Sequence, residues 1–131
     1  MGWRTSKAMA RFLPRCHFVV VSTLRLFPSR EQRRHVLSVL RSVQGPAQAQ
    51  AHCLCSRVFE EDGFDTAICY MEQWDSEEEL FQHIRSDLYN RILAAVELSK
   101  TQPEQHFHFI KETRGMDLVE EIRTHPERED A

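Results

Sequence analysis

A chain of 131 residues with a net charge of −3, 41% hydrophobic and 28% charged, has the size and balance of one globular domain. Its most apolar run, Phe18 to Val21, is soon followed by Arg25, so nothing approaches the ~18 apolar residues of a membrane span. The acidic balance also argues against nucleic acid, whose partners present a basic face, and against an anionic membrane surface.

Residues 1–15 carry Arg4, Lys7, Arg11 and Arg15 and no acid. Transit peptides share this composition, but a flexible basic tail or an over-extended start explains it more simply. The domain is therefore placed at 16–123, with a charged tail at 124–131. Four cysteines, Cys16, Cys53, Cys55 and Cys69, form no C-x-x-C pair. On a strand, Cys53 and Cys55 would share a face, which suits small buried residues better than a disulfide. The expected setting is reducing, the cytoplasm.

In chain order, residues 16–27 alternate as a strand, with Phe18, Val20 and Leu24 on one face and Val19, Val21 and Thr23 on the other. Pro28 stops it. Ser29 with Gln32 three residues on is a capping box, so a helix is predicted from about Arg30. Val36, Leu37, Leu40 and Val43 give it one apolar stripe, Arg30, Arg33, Arg34 and Arg41 fall off that stripe, and Gly45-Pro46 is read as its end. A second strand is predicted over 51–59 and a third over 66–74, joined by turn residues Glu60 to Gly63 as a hairpin.

Ser76-Glu77-Glu78-Glu79 is the strongest helix start, with a cap serine, an N3 glutamate and three acids at the positive helix end. Leu80, Ile84, Leu88, Ile92 and Val96 then form an i+4 row, with Phe81, Tyr89 and Leu93 beside it. Ser86-Asp87 can recap the chain, which predicts a bent or split helix. Residues 105–112 alternate Phe107 and Phe109 against His106, His108 and Ile110 as a fourth strand, and Leu118, Val119 and Ile122 suggest a short terminal helix.

This order is β-α-β-β-α-β, the ferredoxin-like α+β plan. Right-handed crossovers place both main helices on one face of a four-stranded antiparallel sheet and leave the other face bare. Pairing two bare faces across a two-fold axis would cover them, which predicts a homodimer.

Glycine occurs only at positions 2, 45, 63 and 115. That excludes a phosphate-binding glycine loop, a dinucleotide fingerprint and a G-x-S-x-G elbow. His106 and His108 share a strand face, a spacing able to hold a metal. Histidine is common on half-exposed strands, so they are read as a plain strand pair. The densest chemistry lies in Glu72-Gln73-Trp74-Asp75-Ser76 and on to His83. A purely structural account is available: Trp74 packs at the sheet end, Glu72 pairs with an arginine, and His83 is a satisfied boundary histidine.

Residues 72–89 follow the pattern E-x-W-x-S-x-E-x-(L/F)-x-x-H-x-x-S-x-x-(Y/F) through Glu72, Trp74, Ser76, Glu78, Leu80, His83, Ser86 and Tyr89. Residues 52–61 follow G-C-L-x-x-x-(V/L)-(Y/F)-x-D more loosely, with His52 where glycine is usual. Together with the stretch 112–120, these resemble the antibiotic biosynthesis monooxygenase family of the dimeric α/β-barrel superfamily, over about residues 17–123.

The resemblance implies a dimer with a pocket for a small aromatic substrate. It implies a monooxygenase that oxidises an electron-rich ring, quinol or anthrone-like, with O2 and with no metal, flavin or other cofactor. On that reading His83 is the base or hydrogen-bond partner, Trp74 a ring wall and Glu72 an orienting carboxylate, with His52, Tyr70 and Tyr89 lining the pocket. A non-catalytic dimeric ligand-binding module and an isomerase using the same pocket are the alternatives, since the fold hosts all three. The haem-degrading branch of the superfamily is similar around Trp74, but its ligating histidine is replaced here by Leu93.

Overall fold

A computed structural model describes residues 18–63 and 66–125. The basic tail at 1–15, Cys16 and residues 126–131 of the charged tail lie outside the described residues. Phe18–Phe109 form one compact unit. It holds strand β1 (Val19–Leu26), helix α1 (Arg33–Gln48), strands β2 (Cys53–Glu60) and β3 (Ile68–Trp74), helices α2 (Glu77–Arg85) and α3 (Asp87–Val96), and most of strand β4 (Glu104–Ile110). The four strands make one antiparallel sheet in the order β2-β3-β1-β4, the ferredoxin-like arrangement.

Alternation decides which face of the sheet is covered. Val20, Ser22, Leu24 and Leu26 of β1, and Ile68, Tyr70, Glu72 and Trp74 of β3, are all buried, while the residues between them are half-buried. Leu24, Leu26, Ile68 and Tyr70 of that row meet Val36, Leu37, Leu40, Val43 and Ala47 from α1 and Tyr89, Ile92 and Ala95 from α3 in one apolar core. Val20, Cys53, Trp74 and Leu80 make a smaller cluster at the other end of the strands. Opposite the helices, Val19, Val21 and Thr23 of β1 and Cys69, Met71 and Gln73 of β3 stay half-exposed.

Three local expectations change. The Ser29 hydroxyl does accept from the Gln32 N–H at 3.2 Å, but it closes a turn, and the regular helix begins at Arg33. Gly45-Pro46 does not end α1, which runs on to Gln48. Gly45 is not in the left-handed conformation of a helix-ending glycine; Gly63, at φ 117°, is the one described glycine with positive φ. Proline removes the bond to the carbonyl four residues back. Here that carbonyl, of Ser42, accepts instead from the Arg91 guanidinium at 3.3 Å.

The third change is in β2. A bulge between Cys53 and Cys55 sets Cys53 opposite Trp74 but Cys55 opposite Gln73. Trp74 and Gln73 point to opposite faces, so Cys53 and Cys55 do too, contrary to the shared face expected from plain alternation. Both are free thiols.

The arginine cluster divides. Arg34 and Arg41 are exposed, whereas Arg33 is half-buried and binds Glu60 at 3.1 Å and the Thr66 carbonyl at 2.6 Å. Ser76 caps α2, its hydroxyl accepting from the Glu79 N–H at 3.1 Å. Ser86 splits the predicted long helix as expected. Its extended backbone ends α2 and starts α3. Its hydroxyl donates to the His83 carbonyl at 2.6 Å and accepts from the Tyr89 N–H at 3.4 Å. The break therefore fixes His83 in the last turn of α2 and Tyr89 in the first turn of α3.

Outside that unit lies helix α4 (Met116–Thr124). Arg114 precedes it and pairs with Asp117 at 2.8 Å and Glu121 at 2.9 Å. Met116, Leu118, Val119 and Ile122 are all exposed.

Candidate functional site

Register alone builds the floor of the site. Glu72 sits in the middle of the sheet, opposite Ser22 on one side and Ser56 on the other. Its neighbours two residues away on the same face are Tyr70 and Trp74. The Glu72 side chain is 2% exposed, and His83 reaches it from α2 with a side chain that is 0% exposed.

Three donors converge on the carboxylate. Tyr70 O–H donates to Oε2 at 2.6 Å, Trp74 Nε1–H to Oε1 at 2.9 Å, and His83 Nε2 lies 2.9 Å from Oε2. A carboxylate only accepts, so Nε2 is the nitrogen that donates to Glu72, and in the neutral imidazole Nδ1 then carries the lone pair. Gln50 Nε2 faces that nitrogen at 3.4 Å. Since Tyr70 gives its proton to Glu72, the 2.8 Å contact between Tyr70 and Ser56 has the serine hydroxyl donating. Trp74 lies against one side of the imidazole, ring centroids 4.8 Å apart, and Tyr89 meets it edge-on at 5.4 Å.

Electrostatics follow from burial. Loss of water, and then the Glu72 charge, hold the Tyr70 hydroxyl well above the ordinary phenol range and push Tyr89 up to about 12. Both therefore stay protonated at neutral pH. The same two causes push the Cys53 thiol up to about 12, which removes it as a thiolate nucleophile. No buried side-chain nitrogen or oxygen among the described residues lacks a hydrogen-bond partner.

Of the residues predicted from sequence, Glu72, Trp74, His83, Tyr70 and Tyr89 share this one cluster. His52 does not. It is exposed and binds Asp75 at 2.9 Å on the surface, while its carbonyl accepts from the Asp75 N–H. It lies in the turn before β2. Glu72 has His83 as its ionisable partner rather than the arginine a structural account supplied. Ser56 and Gln50 were not anticipated. Ser56 follows from the hairpin register, but the bulge hides that register from the sequence. Gln50 carries no sequence signal at all.

His106 and His108 stack on β4 with ring centroids 5.9 Å apart. No group of three or more His, Cys, Asp or Glu among the described residues is arranged to hold a metal ion. Leu93, at the haem-ligand position, is exposed. An open pocket of about 340 Å3 lies between Phe27, Pro28, Ser29, Arg30, Lys100 and Thr101. It is next to the Leu26 end of β1, whereas Trp74 pairs at the Val20 end.

These features define an α+β ferredoxin-like protein with a buried acid–histidine pair under its helices. The sequence profile of the antibiotic biosynthesis monooxygenase family matches residues 18–95, and the chain belongs to that family. Among solved structures it resembles a conserved protein from Methanosarcina mazei Go1, at 19% identity and TM-score 0.66, covering 76% of this chain and 97% of that one. Rv0793 from Mycobacterium tuberculosis is similar at 18% identity and TM-score 0.66, covering 74% and 99%. A structure described as antibiotic biosynthesis monooxygenase is similar at 12% identity and TM-score 0.61, covering 72% and 99%. At these identities the likeness is one of fold. No match is found among curated proteins.

Proposed function

We propose that this protein is a cofactor-independent monooxygenase that oxidises an electron-rich aromatic, a quinol or an anthrone-like ring, with O2. The observation that carries this reading is the buried His83–Glu72 pair, in which Nε2 faces the carboxylate at 2.9 Å and Nδ1 is turned toward the Gln50 side chain. Such a substrate needs its proton taken before its anion can pass an electron to O2. His83 takes that proton at Nδ1 and becomes an imidazolium held by Glu72. Tyr70 and Trp74 keep Glu72 in place, and Trp74 walls the imidazole. With an anthrone, the ring methylene becomes a carbonyl containing one oxygen atom. The second oxygen leaves as water with the two methylene hydrogens.

The working unit is a homodimer in the cytoplasm, joined through the sheet face that the helices leave half-exposed. No helix among the described residues is long and apolar enough to cross a membrane. No metal, flavin or nucleotide takes part in the proposed reaction, and neither nucleic acid nor a membrane is a partner.

Oxygen consumption by the metal-stripped protein, over a panel of anthrones and reduced quinones, tests the reading. Uptake above the autoxidation rate is expected for at least one of them. Absence of uptake across the panel, with an isomer of unchanged mass as product, would replace it with proton-transfer chemistry alone. Binding with no product would leave a ligand-binding module.

A further inference from the structure

The His83 side chain is fully buried. Its Nε2 belongs to Glu72, its face to Trp74 and its edge to Tyr89. What lies over Nδ1 is the side chain of Gln50, 33 residues away in sequence. Gln50 is half-buried, so it bridges solvent and a histidine that is 1% exposed.

Its backbone is pinned while its side chain is not. The Gln50 N–H donates to the Ala47 carbonyl at 3.1 Å, and the Gln50 carbonyl accepts from the Cys53 N–H at 3.1 Å. The turn from Gln50 to Cys53 is also tied to the start of α2, since the His52 carbonyl accepts from the Asp75 N–H and the two side chains pair at 2.9 Å. The contact of the amide with Nδ1, at 3.4 Å, is long for a hydrogen bond. The turn thus holds a weakly bound amide over Nδ1 of the buried histidine.

We propose that Gln50 is the substrate-positioning amide of this site. In the resting protein its N–H occupies His83 Nδ1. A phenol or enol hydroxyl displaces it and donates to Nδ1 in its place. The displaced amide then donates to the oxygen of the bound ring, where negative charge grows as the proton passes to Nδ1. The proton ends on Nδ1, the electron pair of the broken O–H bond stays on the substrate oxygen, and Nε2–H stays with Glu72. Gln50 would therefore select rings that bear an ionisable hydroxyl over rings that lack one. This rests on the reading of His83 as proton acceptor.

The test uses 1-naphthol as a fused-ring phenol probe and the 15N resonances of His83 as the readout, in the wild-type chain and in Gln50→Leu and Gln50→Glu. In the wild type, 1-naphthol is expected to shift Nδ1 and to leave Nε2 protonated. Gln50→Leu is expected to move free Nδ1 toward an unbonded acceptor and to weaken 1-naphthol binding roughly three- to tenfold, the worth of one hydrogen bond. Gln50→Glu, which cannot donate, is expected to draw a proton onto Nδ1. A purely structural contact would move free Nδ1 in the same way but leave the affinity for 1-naphthol unchanged. If 1-naphthol shifts Nδ1 but binds Gln50→Leu as tightly as wild type, the proposal is overturned while the His83 reading stands. If 1-naphthol leaves Nδ1 unmoved in both proteins, the His83 reading fails and the proposal falls with it.

Discussion

Replacing Glu72 by alanine is expected to destabilise the protein by about 3–5 kcal/mol, seen as a fall in the midpoint of urea unfolding. The carboxylate is the shared acceptor for Tyr70 O–H, Trp74 Nε1–H and His83 Nε2–H, all in the interior. Removing it strands three donors where no water replaces the bond. Each stranded group costs roughly 1–3 kcal/mol, less what the site regains by relaxing. Glu72→Gln keeps one acceptor oxygen but turns an N–H toward a donor, so an intermediate loss is expected. A control at the exposed end of β2, Glu60→Ala, should fall within about 0.5–1 kcal/mol, because a surface ion pair contributes little. A Glu72→Ala loss no larger than that of the control would show that the three bonds do not form.

The second large effect is on rate. His83→Ala is expected to lower kcat/KM for an active quinol or anthrone by about 10²–10⁴, the range for loss of a positioned general base. Alanine also leaves a void beside Trp74, so a stability loss accompanies it. His83→Gln separates the two effects. A glutamine N–H can still donate toward Glu72, but the amide cannot take a proton. Retained folding with turnover as low as in alanine would assign the loss to proton transfer. Turnover restored by glutamine would reduce His83 to a packing element.

The fold was legible wherever the signal is local. The alternation of Ile68, Tyr70, Glu72 and Trp74 reads directly as one buried face. Ser76 with Glu79, and the recapping Ser86, mark helix ends through bonds that span three residues. What the sequence hid depends on distant groups. Gly45-Pro46 looks like a helix end, but Arg91 caps the freed Ser42 carbonyl from another helix, and α1 continues. The bulge at Cys53/Cys55 is invisible in a run that alternates acceptably either way.

The candidate site divides along the same line. Glu72 and Trp74 share a face by period two, and His83 lies on the inner side of α2 by its spacing from Leu80. Residue types alone could not say that the partner of Glu72 is an imidazole, that Tyr70 points its hydroxyl at the same carboxylate, or that Gln50 covers Nδ1. Those contacts arise when the hairpin, the end of α1 and α2 fold together. His52 stands apart from the cluster for the opposite reason. It is close in sequence to Cys53, which is buried beside Trp74, yet it lies in the turn before the strand and faces solvent.

The most direct test of the central claim is isotopic. Metal-stripped protein is given an anthrone under 18O2, and product and water are analysed by mass spectrometry. One labelled oxygen atom is expected in the quinone product and the other in water, with incorporation falling to the uncatalysed level in His83→Ala. Product without the label, or labelling equal in wild type and His83→Ala, would contradict it.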